Sequence, residues 1–436
     1  MGTAATTGSD KYGPKTKYLM LVFVCLFTFL VGGFGATLFN LLQVTVANDL
    51  GWTAGERAFV ATGYSTGMIW FAFFSGLVVD KVNVKRMWGS LLVALAFFVI
   101  LRAFVVGVTL YYIIMFVSGM VVSIINPLST KVITLWFGHK QLAVANGFLT
   151  SSNPLGQFTA NIFALPLIGL LGGQWQTLYI VLAVFIVVLG VAIFVFGKNR
   201  KSIDAALESD QIKSADELGI WKNLKAVVKV PQAWCYLVAS GVFLGLVYGG
   251  GSQLYVVLQV DPNWALDAAA PGIVTAMNNI GSMIMYVVAP LIIGKFLAKN
   301  YDRNYRLIAI ICGCLSAVLM FAGVRSYNFT AICVIFFING IVFGQIVPAP
   351  KVLMLRLPQI AGARAGTAMG IYLTLNRIFQ TIITAIFGMV LAINTTNPTE
   401  PLSWMYMLYL VAPVLIIVAW VLDNRQKKAA AAAAPE

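Results

Sequence analysis

The chain has 436 residues, 60% of them hydrophobic and only 10% charged, with a formal net charge of +14. Soluble domains carry about 25% charged residues, so this composition excludes an ordinary globular protein and points into a bilayer. A basic balance in a soluble chain would suggest nucleic acid. Here the Lys and Arg residues sit in short loops between apolar runs, where they face anionic lipid, and nucleic-acid binding is not expected. The single His is His139, in a predicted turn, and the five cysteines (Cys25, Cys235, Cys312, Cys314, Cys333) fall in or near apolar runs. Neither a histidine-ligated metal cluster nor a Ser-His-Asp triad can be assembled from them. No cofactor, no metal and no enzymatic activity are expected.

Residues 1–17 form a polar tail without the short apolar core of a signal peptide, and are expected to be cytoplasmic. Crossing ~30 Å of hydrocarbon takes ~20 helical residues. Twelve such stretches are predicted, near 18–46, 55–79, 86–106, 109–135, 141–169, 175–197, 232–260, 270–294, 305–324, 328–353, 361–393 and 402–422. The runs are continuously apolar rather than alternating, which excludes barrel strands. The first six, within 18–197, define one bundle and the last six, within 232–423, a second. Between them lies a charged cytoplasmic linker, 198–231, whose later part places Ile220, Trp221, Leu224 and Val228 on one side, as an interfacial helix would. Residues 424–436 are a second cytoplasmic tail.

The distribution of basic residues orients the chain. With the N-terminus inside, most of the 29 Lys and Arg residues fall on the inner side. Arg57, Arg102 and Arg325 fall outside, and Lys131, Lys351 and Arg377 lie within spans. Both termini are therefore expected in the cytoplasm, with the protein in the cell (inner or plasma) membrane. Trp175, Trp221, Trp264, Trp404 and Trp420 fall near the predicted surfaces, as an aromatic belt requires.

The two halves resemble each other. Span five carries Gly147, Asn153 and Gln157, and span eleven carries Gly370, Asn376 and Gln380 with identical spacing. Span four reads Phe116-Val117-Ser118-Gly119 and ends near Lys131; span ten reads Phe337-Ile338-Asn339-Gly340 and ends near Lys351. Paired bundles of this kind hold a substrate at the midplane between them.

Between spans two and three stands Gly76-Leu77-Val78-Val79-Asp80-Lys81-Val82-Asn83-Val84-Lys85-Arg86. This resembles the signature loop of the major facilitator superfamily, a Gly, an Asp-Arg pair four residues on, a second Gly and a basic pair. Gly76, Asp80 and Lys85 match, while Lys81 replaces the Arg, Asn83 the second Gly and Val84 one basic residue. The resemblance implies an all-α integral membrane protein of twelve transmembrane helices in two pseudo-symmetric six-helix bundles. It also implies an inner gate in which Asp80 pairs with neighbouring helices, beside Lys81, Lys85 and Arg86. Within the superfamily, Trp136-Phe137 followed by Ala145-Asn146-Gly147 resembles the oxalate/formate antiporter and monocarboxylate carrier branches. Those branches place an essential cation in span eight or eleven. Arg377 matches the latter position, whereas span eight shows Asn278-Asn279 and no Arg.

Arg377 lies about sixteen residues into its span, where an isolated cation costs ~2.5–3.5 kcal/mol or more. Apart from Glu56, at the very start of the second stretch, no Asp or Glu occurs in the apolar segments, and none lies at a depth to neutralise it. An unpaired guanidinium at that depth invites a mobile anion, and its planar fork of donors suits a carboxylate or another oxyanion. Asn376 and Gln380 flank it. Asn153, Gln157 and Asn161 share one face of span five and should face the cavity, because amides in lipid lack partners. Asn40, Gln43, Tyr64, Tyr248, Gln253, Asn278 and Asn279 are further candidates. Lys131 and Lys351 lie near the cytoplasmic ends of their spans, either snorkelling to headgroups or guiding anions at an inner gate.

The expected function is secondary active transport of a small organic anion, a carboxylate first of all, by alternating access. Exchange or uniport is favoured, since no carboxylate or His lies deep within the spans to relay protons. Inorganic oxyanions, a zwitterionic amino acid and, further off, multidrug export are the alternatives. The expected partners are the small anionic substrate and the bilayer, with the protein acting as a monomer.

Overall fold

The computed structural model describes residues 14–81, 84–137, 139–198, 220–264, 266–297, 300–360, 365–394 and 396–432. Within them the chain runs as twelve long helical segments. The first half holds α1 (14–49), α2 (Ala54–Lys81), α3 (Val84–Leu101), α4 (Val108–Trp136), α5 (His139–Leu170) and α6 (Trp175–Phe196). After the short helix Ile220–Val228, the second half holds α7 (Pro231–Val260), α8 (Ala270–Leu297), α9 (Tyr301–Val324), α10 (Phe329–Ile346), α11 (Ala365–Ile393) and α12 (399–432). Among the described residues, eight helices are long and apolar enough to cross a membrane. The expectation of twelve spans is thus met in the number of segments, not by that test for each one.

Helices that face lipid on one side and protein on the other need not separate apolar from polar faces. Large apolar side chains accordingly point outward, among them Phe97, Phe185, Ile311 and Met389. The short helix Ile220–Val228 is by contrast strongly amphipathic, as an element lying at an interface should be. The linker residues before it lie outside the described residues.

Two hydrophobic cores form. Phe27, Trp88, Tyr111, Trp136 and Tyr179 fill the first; Tyr236, Phe243, Phe387, Tyr406 and Tyr409 fill the second. Close helix approach depends on glycine at corresponding places. A Cβ on Gly119 of α4 would stand 2.1 Å from the Tyr64 carbonyl oxygen of α2, and one on Gly340 of α10 would stand 2.1 Å from that of Asn278 in α8. Small residues at such contacts let backbones meet in the membrane.

A second device repeats between the halves. Asp49, at the end of α1, accepts hydrogen bonds from Trp175 Nε1 (2.9 Å) and Gln176 Nε2 (3.3 Å) at the start of α6. Asp261, just past α7, accepts from the Thr399 N–H (3.1 Å) at the start of α12. In each half, a carboxylate after the first helix holds the sixth. Trp175 and Trp264 are buried rather than in a belt: Trp175 donates to Asp49 and Trp264 to the Val324 carbonyl at 3.0 Å.

The described chain starts and finishes at one end of the bundle, the near end; helices alternate in direction between it and the far end. Across the seam between halves, α2 packs on α11 and α5 on α8. Among the described residues, the polar contacts that cross it lie toward the far end. Gln43 Nε2 of α1 donates to the Ser252 carbonyl of α7 at 2.6 Å, and Tyr255 Oη of α7 donates to Asn161 Oδ1 of α5 at 2.6 Å. Tyr255 packs into the core of the opposite half. Gly272 and Gly388 lie so close to the other half that a Cβ would meet the Asn161 carbonyl and the Ala58 Cβ at 2.6 Å each.

Candidate functional site

Two helices are irregular where the halves face each other. α1 widens to a π-helical stretch over Thr28–Gly35 and α7 does so over Leu246–Gly250. Both stretches are rich in Gly, and π-helical turns gather at functional sites. α5 carries Pro154 within its helix, which removes one backbone hydrogen bond at the same depth. Gly32 and Ala36 of α1, Tyr248 and Gly251 of α7 and Pro154 of α5 all line the central cavity.

That cavity has two lobes with common walls. The first, about 160 Å³, is lined by Arg377, Gln380 and Thr384 of α11, Tyr64 and Ser65 of α2, Thr28 and Asn40 of α1, and Arg102 just past α3. The second, about 170 Å³, is lined by Gln157 of α5, Thr275, Asn278, Asn279, Ser282 and Tyr286 of α8, and Asn339 of α10. Asn40, Asn153, Tyr248 and Ser252 belong to both. Among the described residues, no Asp or Glu lines either lobe. An empty apolar cavity of about 150 Å³ accommodates benzene, so each lobe has the scale of a small metabolite.

Arg377 donates from Nη1 to Gln380 Oε1 at 2.6 Å and makes no ion pair among the described residues. Gln157 Nε2 donates to Asn153 Oδ1 at 2.7 Å, and Asn339 Nδ2 to Asn278 Oδ1 at 3.2 Å. The amides are thus tied to one another in pairs, one partner from each neighbouring turn or helix, which fixes their orientation.

Nine of the expected site residues therefore line the cavity: Arg377, Gln380, Asn153, Gln157, Tyr64, Asn40, Asn278, Asn279 and Tyr248. Three do not. Asn376 is buried beside Tyr372, because one residue's step turns the helix by 100° away from Arg377. Asn161 is the far end of the α5 stripe and reaches the seam, where Tyr255 takes its oxygen. Gln253, one step from Ser252, is buried outside the lining with its Nε2 unpartnered. At the near end, Lys85 Nζ donates to the Val195 carbonyl at 3.3 Å, and Arg86 is exposed. Lys351 is exposed on the helix Ala349–Leu355 and does not line the cavity. The side chains of Asp80, Lys81 and Lys131 lie outside the described residues.

Arg102 is the site residue that the sequence reading leaves out. Counted only among the outer-side cations, it is 4% exposed and lines the same lobe as Arg377. Tyr64 lies within electrostatic reach of both guanidiniums. A signal for it exists in the sequence: Val99-Ile100-Leu101 precede it and Ala103-Phe104-Val105-Val106 follow, so it interrupts an apolar run just as Arg377 does.

Residues 22–383 match the profile of the Major Facilitator Superfamily, and the chain belongs to that superfamily. It is a multi-pass membrane transporter and not an enzyme. Among curated proteins it is similar to a "Putative tartrate transporter" of Agrobacterium vitis, 22% identical over 311 residues, covering 68% of this chain and 67% of the relative. Its fold is similar to that of a bacterial homologue of the human lysosomal transporter Spinster, with a TM-score of 0.67 at 12% identity over 95% of this chain and 98% of that one. It is also similar in fold to the nucleoside transporter NupG, with a TM-score of 0.66 at 14% identity over 94% and 99% of the two chains.

Proposed function

We propose that this transporter carries a small organic anion, a carboxylate first of all, by alternating access of the central cavity. The observation that supports this is Arg377: a permanently charged fork lines the cavity, and among the described residues its one hydrogen bond goes to a neutral amide and no acidic side chain lines the walls. Closing the cavity around a bare guanidinium strands a charge in low dielectric, at a cost of several kcal/mol. A bound carboxylate removes that cost through charge-assisted, bidentate hydrogen bonds. The loaded carrier should then reorient faster than the empty one, which favours exchange or uniport. A cationic drug has no acidic partner among the described lining residues.

The amides of the second lobe suit hydroxyl groups, so a hydroxylated carboxylate would use both lobes. The name of the Agrobacterium relative, a tartrate transporter, agrees with that chemistry. The clustering of Lys and Arg at the near end orients both termini to the cytoplasm, and the far end, where the halves are joined by hydrogen bonds, then faces outward. Asp80, Lys81, Lys85 and Arg86 are assigned to the opposing inner gate.

The test is uptake of labelled tartrate, oxalate, lactate and formate into proteoliposomes, by the wild type and by Arg377→Gln. Hydrogen bonds to charged groups contribute about 1.5–3 kcal/mol, so the variant should transport every anion at least about tenfold more weakly. Unchanged uptake by a folded variant would reject the anion site. Arg377→Lys keeps the charge without the fork and should fall between the two.

A further inference from the structure

We propose that Arg102 is a second substrate-binding cation, and that the site is built for a small dianion whose two carboxylates are shared between Arg102 and Arg377. This rests on the anion-carrier reading above and goes beyond it in assigning the charge and the second contact.

Arg102 is 4% exposed, and what it faces is the first lobe of the cavity, together with Tyr64 and Arg377. Its Nε is buried with no hydrogen-bond partner, and its side chain makes no hydrogen bond or ion pair among the described residues. A structural arginine buried to this degree is normally held by a carboxylate or by carbonyl oxygens, as Arg306 is by Asp423 at 3.0 Å in this same chain. Arg102 has neither. Its position one residue past the last turn of α3 places it at that helix's C-terminal end, where a cation is favoured, but this does not satisfy its donors.

Two uncompensated guanidiniums on one lobe also repel each other. A monoanion would neutralise one and leave the other; a dianion neutralises both. Arg102 lies toward the far end of the lobe, whereas Arg377 lies about halfway along α11. A ligand spanning them is aligned with the transport path, one carboxylate toward each end.

The experiment compares tartrate with glycerate, which keeps the hydroxylated carbon chain but has a single carboxylate. Both are offered at pH 7, where carboxylates of ordinary pKa are ionised. Competition against a labelled substrate in proteoliposomes, and ligand-induced thermal shifts of the detergent-purified protein, are read for wild type, Arg102→Gln and Arg102→Lys. The wild type should prefer tartrate, and Arg102→Gln should reduce the tartrate-to-glycerate preference at least tenfold. Arg102→Lys should restore part of it. An unchanged preference in a folded Arg102→Gln protein overturns the assignment. So does failure of both variants to fold, which would mark Arg102 as a structural cation. If neither ligand binds the wild type, the anion-carrier reading fails instead, and Arg377→Gln will report that separately.

Discussion

Single charged residues in this chain differ in worth according to what surrounds them. Arg306 and Asp423 are an almost fully buried pair, 3.0 Å apart, with side chains 7% and 12% exposed. Removing one partner of such a pair leaves the other charge stranded, at a cost of about 3–5 kcal/mol. Asp423→Asn should therefore lower the midpoint of thermal unfolding in detergent markedly. Arg325 and Glu400, 3.8 Å apart and much more exposed, contrast with it. Glu400→Gln should change stability by no more than about 1 kcal/mol in the same assay. Arg377 was legible in the sequence because an apolar run encloses it on both sides for many residues. Arg102 follows the same rule but sits near the outer end of its run, where a count of outer-side cations absorbs it. Asn376, Asn161 and Gln253 were misplaced for another reason. An amide in a span must be satisfied, but periodicity alone does not say whether a cavity, a core or the opposite bundle satisfies it.

At the level of helices, the internal repeat was read from Gly119 and Gly340, and the structure gives those glycines one job. Each permits a backbone contact that a methyl group would block, at 2.1 Å from a carbonyl oxygen. Gly119→Ala and Gly340→Ala should each destabilise the fold, by about 1–3 kcal/mol for overpacking of this kind, measured as loss of monodisperse protein on heating. Gly147 in α5 has nothing within 4 Å of its would-be Cβ. Gly147→Ala should be neutral or stabilising by up to about 1 kcal/mol, through its helix preference alone. The partner glycines, Gly67 and Gly281, and the widened turns of α1 and α7 were not legible. Gly-rich stretches such as Gly32-Gly33 and Gly249-Gly250-Gly251 announce close packing or bending without saying which. The two aspartates that hold α6 and α12 were missed because loop carboxylates have no periodic pattern to betray them.

At the level of the whole molecule, the contacts that join the halves toward the far end must break in one of the states between which a carrier moves. Tyr255→Phe removes the hydroxyl that joins α7 to α5 while keeping the ring in its core. A neutral hydrogen bond contributes about 1 kcal/mol, a five-fold shift in a two-state balance. The variant should thus populate the far-open state more, seen as faster labelling of a cysteine placed among the far-end cavity residues. Anion inside the vesicles should accelerate uptake of labelled anion from outside; equal rates with and without it would remove exchange in favour of plain uniport. The seam itself carries a last consequence. Its described contacts are amide to carbonyl, hydroxyl to amide and glycine to its neighbours, so among the described residues no ion pair crosses the closure for mobile ions to screen. Once the substrate is saturating, turnover should hold steady from about 0.01 to 1 M salt, although the Debye length shrinks from about 30 to 3 Å over that range. Ionic strength would then govern how readily cargo is captured and leave the motion of the doorway untouched.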